Sequence, residues 1–149
     1  MLVREVDGIG IAHGSIGGHA RPHLLTLSVD TGEATVVIRW EQFETREQLE
    51  QRMQELEQAI RAGRHAVYYE SPRMAHLAEV LSDAGDMVKV RVLDASGDRA
   101  RTFWCSKLWL KRWSERPEWW HQLYAEGERQ IEKMIVPALV SGHQQLSSR

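Results

Sequence analysis

The sequence predicts a mixed fold, α/β or α+β, in which a single mixed β-sheet is covered by helices in the order β-β-β-α-β-α-β-β-α. Three observations predict it. Residues 1–40 are dominated by β-formers broken by Asp7-Gly8 and by Asp30-Thr31-Gly32-Glu33. Residues 45–63 carry an apolar repeat at helical spacing between start and stop signals. Residues 87–93 then alternate between apolar and charged side chains, as a half-buried strand does.

Each element has a local reason. Leu2 to Val6 alternates weakly, and Ile9 to Ala12 continues an extended reading. Asp7-Gly8 between them suits a hairpin turn or a bulge. His13-Gly14-Ser15-Ile16-Gly17-Gly18-His19 reads as a glycine-rich loop. Leu24–Val29 and Ala34–Ile38 form a hairpin about Asp30–Glu33. Thr45 and Gln48 make a capping box, Leu49, Met53, Leu56 and Ile60 stack on one helical face, and Gly63 ends the helix. His65–Tyr69 reads as a short buried strand. Ser71-Pro72 then predicts a second helix, with Met74, Leu77, Ala78 and Leu81 on its apolar face and Gly85 as its stop. A strand–helix–strand unit over 65–93 is expected to be parallel and right-handed. Asp94–Asp98 is a turn, and Arg99–Cys105 the returning strand. From Pro117 a long helix is expected to about Val136, with Trp120, Leu123, Tyr124, Gly127, Ile131, Met134 and Ile135 as its stripe and Pro137 as its end or kink.

Composition narrows the function classes. With 149 residues, the expectation is one globular domain over 1–140 and a polar tail over 141–149. Hydrophobic residues at 42% and charged residues at 27% argue against wholesale disorder, and a net charge of -2 points to neither nucleic acid nor membrane. Cys105 is the single cysteine, which excludes an internal disulfide and a cysteine zinc cage. No apolar run reaches the length of a membrane span, and Met1–Asp7 lacks the pattern of a secretory signal. A cytoplasmic protein with no membrane partner is expected, and no cofactor.

Several constellations can be written as chemistry. Gly14, Gly17 and Gly18 could cradle a phosphate, but their spacing matches neither a dinucleotide fingerprint nor a Walker loop. His13, His19 and His23 flank that loop and could hold a divalent metal, with solvated histidines as the plainer reading. Ser15 with His13, or Cys105 with any histidine, makes a formal dyad without a nucleophile elbow. A small buried hydrophobe is the default role of a strand cysteine.

The element order through residue 93 resembles the ribonuclease H fold: three strands, helix, strand, helix, strand. The resemblance is topological. It implies two divalent metals held by acids on the first strand, the first helix and the end of the fourth strand. Asp7, Glu50 and Glu70 stand in analogous places, with Glu70 replacing the usual aspartate. That gives a metal-dependent hydrolase or nuclease as an alternative function.

The most unusual segment is 99–113. It interleaves Arg99, Arg101, Lys107, Lys111 and Arg112 with Phe103, Trp104, Trp109 and Trp113, and Lys89 and Arg91 precede it on a neighbouring strand. Cations pair with phosphates and aromatic rings stack on unpaired bases, so this pattern suits single-stranded nucleic acid. The competing reading sends Trp104, Trp109, Trp113 and Trp120 into the core beneath the last helix, with the cations snorkelling outward. The acidic first-helix region (Glu41, Glu44, Glu47, Glu50, Glu55, Glu57) could pair with this basic segment, within one molecule or between copies. The expectation is a non-enzymatic binding or assembly module of a bacterial type, acting beside nucleic acid through 99–113. A structural subunit that forms a homo-oligomer or larger protein assembly through the last helix is the third reading.

Overall fold

The computed structural model describes residues 2–130 and residue 133. The chain divides into two compact units, Met1–Ser114 and Glu115–Arg149.

The first unit holds two four-stranded antiparallel sheets and the helix between them. Strands β1 (Leu2–Val6), β2 (Ile9–Ser15), β3 (His23–Asp30) and β4 (Thr35–Phe43) pair in sequence order. Helix α1 (Arg46–Arg61) follows. Strands β5 (His65–Ser71), β6 (Met74–Asp83), β7 (Met87–Leu93) and β8 (Ala100–Ser106) form the second sheet, again in order. A short 3₁₀ helix, Lys107–Leu110, closes the sheet, and another covers Trp113–Glu115.

Local chemistry accounts for most of these elements. Asp7 and Gly8 both take positive φ, 48° and 83°, the combination a two-residue type I′ hairpin demands between β1 and β2. In α1 the Thr45 hydroxyl accepts from the Gln48 N–H, and the Gln48 side chain accepts from the Thr45 N–H in return. Such a cap contributes about 1 kcal/mol. Leu49, Met53, Leu56, Ala59 and Ile60 form the helix's buried face.

The mixed-sheet expectation is corrected: both sheets are purely antiparallel, and no strand–helix–strand unit exists over 65–93. Residues 74–83 form a strand where a second helix was expected, so the ribonuclease H-like order does not arise. The cause is β6's burial on both faces. Ala75 and Leu77 enter the core shared with the first sheet, while Ala78 enters a second cluster on the other side. Burial on both faces imitates a helical repeat. The supposed caps are turn chemistry: the Ser71 hydroxyl accepts from the Arg73 N–H at 3.2 Å, and Asp83 Oδ1 accepts from the Gly85 N–H at 3.0 Å.

The main core joins Ile9, Ile11, Leu25, Leu27, Val29 and Ile38 of the first sheet to the apolar face of α1 and to Val67, Tyr69, Ala75 and Leu77 of the second. The second cluster, Ala78, Val88, Val90, Val92 and Cys105, lies on the opposite face of the second sheet, flanked by Tyr68, Phe103, Trp109 and Leu110. Two clasps tie the sheets together. The buried Thr31 hydroxyl, in the β3–β4 turn, donates to the Pro72 carbonyl in the β5–β6 turn. The Trp40 N–H of β4 donates to the Ala95 carbonyl in the β7–β8 turn at 2.9 Å.

In the second unit a helix, α2, covers 118–130. The rest of the expected long helix, including Ile131, Met134, Ile135 and Pro137, and the tail over 141–149 lie outside the described residues. The Trp120 and Tyr124 rings stack at 5.8 Å, and the Arg116 guanidinium lies 4.3 Å from the Trp120 centroid. Trp119 and Leu123 are exposed. Among the described residues no helix is long and apolar enough to cross a membrane.

Candidate nucleic-acid interface

Register decides which members of the cationic, aromatic segment meet. On the core-facing side of the second sheet, cross-strand partners line up in rows. Val67, Leu77, Leu93 and Ala100 make one row, mostly apolar and set against the main core. The next row is His65, Glu79, Arg91 and Thr102. A bulge between Val80 and Ser82 then brings Ser82 opposite Lys89, and Lys89 stands opposite Trp104. Leu81 is the extra residue of that bulge and is exposed. The same sheet face therefore passes from apolar to cationic and aromatic within two rows.

Trp104 is 49% exposed, the displayed ring the binding reading needs. Among the described residues it makes no ring contact, and Lys89 and Arg91 make no ion pair. Glu79 is the carboxylate nearest in register, opposite both Arg91 and His65. Burial lowers the His65 pKa from its ordinary value, opposed by the charge of Glu79.

The remaining predicted contacts are dispersed. Alternation puts Arg101 and Phe103 on the other face, with the guanidinium 5.8 Å from the Phe103 centroid. Lys107 is held by Asp83 at 3.0 Å, which, with the Gly85 N–H, keeps that carboxyl below its usual range. Trp109 is half-buried and stacks on Tyr68 at 5.9 Å. The Arg112 guanidinium lies over Gly8, where a Cβ would sit 2.0 Å from Nη2. Lys111 is exposed, and Trp113 is half-buried. Arg99 lies exposed at the β7–β8 turn, its N–H bonded to Asp94. None of Trp104, Trp109, Trp113 and Trp120 is a fully buried core residue.

The acidic helix region finds its partners near home. Glu50 pairs with Arg46, Glu55 with Arg52, Glu57 with Arg4 and Arg61, Glu41 with Arg39 and Arg52, and Glu44 with Arg21. These pairs involve neither a residue of 99–113 nor Lys89 or Arg91.

The structure gives the catalytic constellations little. Asp7 is an exposed turn residue, Glu50 is on the wet side of α1, and Glu70 bonds His76 Nε2 at 2.7 Å. His13 and His23 sit on adjacent strands, and His19 lies in the exposed connection closed by the Ile16 N–H on the Pro22 carbonyl. Gly17 and Gly18 belong to that same connection, while Gly14 is part of β2. Among the described residues no three His, Cys, Asp or Glu side chains gather as a metal site would require. Cys105 is buried, and burial pushes its thiol pKa up, the reverse of what a nucleophile needs. Sequence reasoning did not single out Glu70 with His76 as a pair, since only the β5–β6 hairpin brings them together.

No protein-family profile, curated protein or solved structure matches the chain.

Proposed function

We propose that the chain is a non-enzymatic binding module that holds single-stranded nucleic acid on the exposed rows of its second sheet. One observation carries the reading. Among the described residues Trp104 is displayed without a ring partner, directly across from Lys89 and beside Arg91, and neither cation has an ion-pair partner. An open indole supplies a stacking surface that accepts any base, and two uncommitted cations supply phosphate contacts.

Fluorescence anisotropy with a labelled single-stranded oligonucleotide tests it. Binding weakens as salt rises, and Lys89→Gln with Arg91→Gln lowers both the affinity and the salt dependence. Replacing Lys107, Lys111 and Arg112 together by Gln has the smaller effect, because Lys107 is held by Asp83 and Arg112 lies over Gly8. A wild-type protein without salt-dependent binding overturns the proposal.

An assembly role through α2 has one observation in its favour. Trp119 and Leu123 are exposed one helical turn apart. A monomer at every concentration in sedimentation equilibrium would remove that second reading.

A further inference from the structure

Separately from that reading, we infer that the free edge of β8 is a strand-addition site, which takes an extended acidic peptide as a further strand of the second sheet. The inference rests on main-chain groups, so it holds whether or not the face of the sheet carries nucleic acid.

Register decides which groups the edge offers. Two bonds flank the β7–β8 ladder. The Asp94 N–H donates to the Arg99 carbonyl at 3.1 Å, and the Lys107 N–H donates to the Asp86 carbonyl at 2.9 Å. Each joins residues that stand opposite one another when the register is carried one step past that end of the ladder. Antiparallel partners alternate between pairs that exchange hydrogen bonds and pairs that do not. Counting inward from either end gives the same result: Val92 with Arg101, Val90 with Phe103 and Val88 with Cys105 are the bonded pairs. Ala100, Thr102 and Trp104 therefore turn their N–H and C=O groups away from β7. All three residues are exposed. β8 is the last strand of its sheet, and among the described residues no main-chain bond reaches these groups from outside it.

The other edges are managed. β1 is short, and its Arg4 is tied to Glu57 of α1. At the edge of β4 the Trp40 N–H is taken by the Ala95 carbonyl. β5 is bulged between Tyr69 and Ser71, and Trp109 of the 3₁₀ helix stacks on its Tyr68. β8 runs seven residues in unbroken register without proline or bulge.

Its remaining device is charge of one sign. Lys89, Arg91 and Arg101 are the charged residues of β7 and β8, and neither strand contains an acidic residue. Like charges on neighbouring strands repel and opposite charges attract. This edge therefore turns away a basic strand and accepts an acidic one. The same rule disfavours a second copy, since pairing β8 with its twin would join two strands that carry only cations. In an added acidic strand, main-chain bonds to Ala100, Thr102 and Trp104 supply affinity. Carboxylates opposite Arg101 on one face, and toward Lys89 and Arg91 on the other, supply selectivity.

Amide hydrogen exchange by nuclear magnetic resonance tests the edge in the full chain. In the free protein the amides of Arg101, Phe103 and Cys105 should exchange slowly, and those of Ala100, Thr102 and Trp104 fast. The acetylated, amidated peptide TEVEVET should slow the second set. Its lysine counterpart TKVKVKT should bind more weakly. A TEVEVET copy N-methylated at two adjacent central residues, which blocks both of its edges, should not bind. Arg101→Glu should weaken TEVEVET by about 2- to 30-fold and favour the lysine peptide. Thr102→Pro removes one outward N–H without touching the ladder to β7, and should weaken it by about 2- to 10-fold. Slow exchange at Ala100, Thr102 and Trp104 in the free chain at every concentration overturns the open edge. Protection that appears only as the free chain is concentrated assigns the edge to a second copy and overturns the peptide. Equal binding of the acidic, basic and N-methylated peptides, or of none, overturns strand addition. Octathymidylate should leave the three amides fast, and their protection by it and not by TEVEVET would overturn the peptide as occupant.

Discussion

Gly97→Ala tests how the sheet that carries Trp104 is fixed to the rest of its unit. Gly97 has φ of 81°, and a Cβ there would lie 1.6 Å from Arg39 Nη1 and 2.4 Å from its Cζ. Two costs follow. An alanine in the left-handed region costs about 1–2 kcal/mol. The Arg39 guanidinium must also swing away, loosening its 3.6 Å approach to Glu41 in a partly buried setting, which adds about 1 kcal/mol. The expected loss is about 2–3 kcal/mol, or roughly 4–12 °C in Tm for a chain of this length. Thermal and urea melts followed by circular dichroism measure it. Arg39→Ala separates the two costs. Glu41 keeps Arg52 at 3.2 Å in that background, so Gly97→Ala should there cost only the backbone share. The difference between backgrounds, about 1 kcal/mol, is the coupling. A loss below about 0.5 kcal/mol would refute the strained-turn argument. Equal costs in both backgrounds would refute the Arg39 contact.

The other expectations concern the Thr31 clasp, an exposed ion pair and the row behind the site. Thr31→Val leaves the Pro72 carbonyl without the hydroxyl that reaches it from the other sheet, and should cost about 1–3 kcal/mol in a urea titration. Arg73→Ala, which breaks only the exposed pair with Glu33, should cost less than about 1 kcal/mol by the same assay. His65 is held below its ordinary pKa by burial, so the unfolded chain binds that proton more readily than the folded one. Its contribution to stability is therefore complete above the ordinary histidine range and is lost as pH falls through it. His65→Gln should flatten the dependence of the urea midpoint on pH over that window, and parallel profiles for the two proteins would contradict the assignment.

Legibility followed the range of the interactions. The capping box of α1 is settled by neighbours three residues apart and was readable, and the Asp7-Gly8 turn, read as a hairpin or a bulge, is a hairpin. Ser71 and Gly85 were read as the cap and stop of a helix, because their chemistry serves helix caps and tight turns alike. Choosing between the two needed the knowledge that β6 is buried on both faces, which is a property of the assembled sheets. The separation into two sheets was hidden for a related reason. Alternation marks a strand but not its neighbours, and β4 and the second sheet meet through clasps such as the Trp40 to Ala95 bond instead of a ladder. The cationic, aromatic segment was visible as composition. Its division was not, because Arg101 and Trp104 part company by strand alternation and Lys107 is claimed by Asp83, a residue expected on a helix.

The remaining question is why the sheet leaves Trp104 uncovered. Burying the exposed half of an indole, on the order of 100 Å², would contribute about 2–3 kcal/mol. Any element laid over that ring would also cover Lys89 and Arg91, which flank it on β7. Desolvating two cations costs several kcal/mol each unless anions meet them. Glu79 is the one carboxylate in these rows, and it already stands between Arg91 and His65. The charge cost outweighs the apolar gain, so an apolar cover made from the chain itself is unfavourable. A ligand that brings its own negative charges reverses the sign. Phosphates offset the cost of covering Lys89 and Arg91, and a planar base then gains the contact with the indole. By this arithmetic Lys89 and Arg91 disfavour an apolar cover over Trp104, and an anionic cover would reverse that balance.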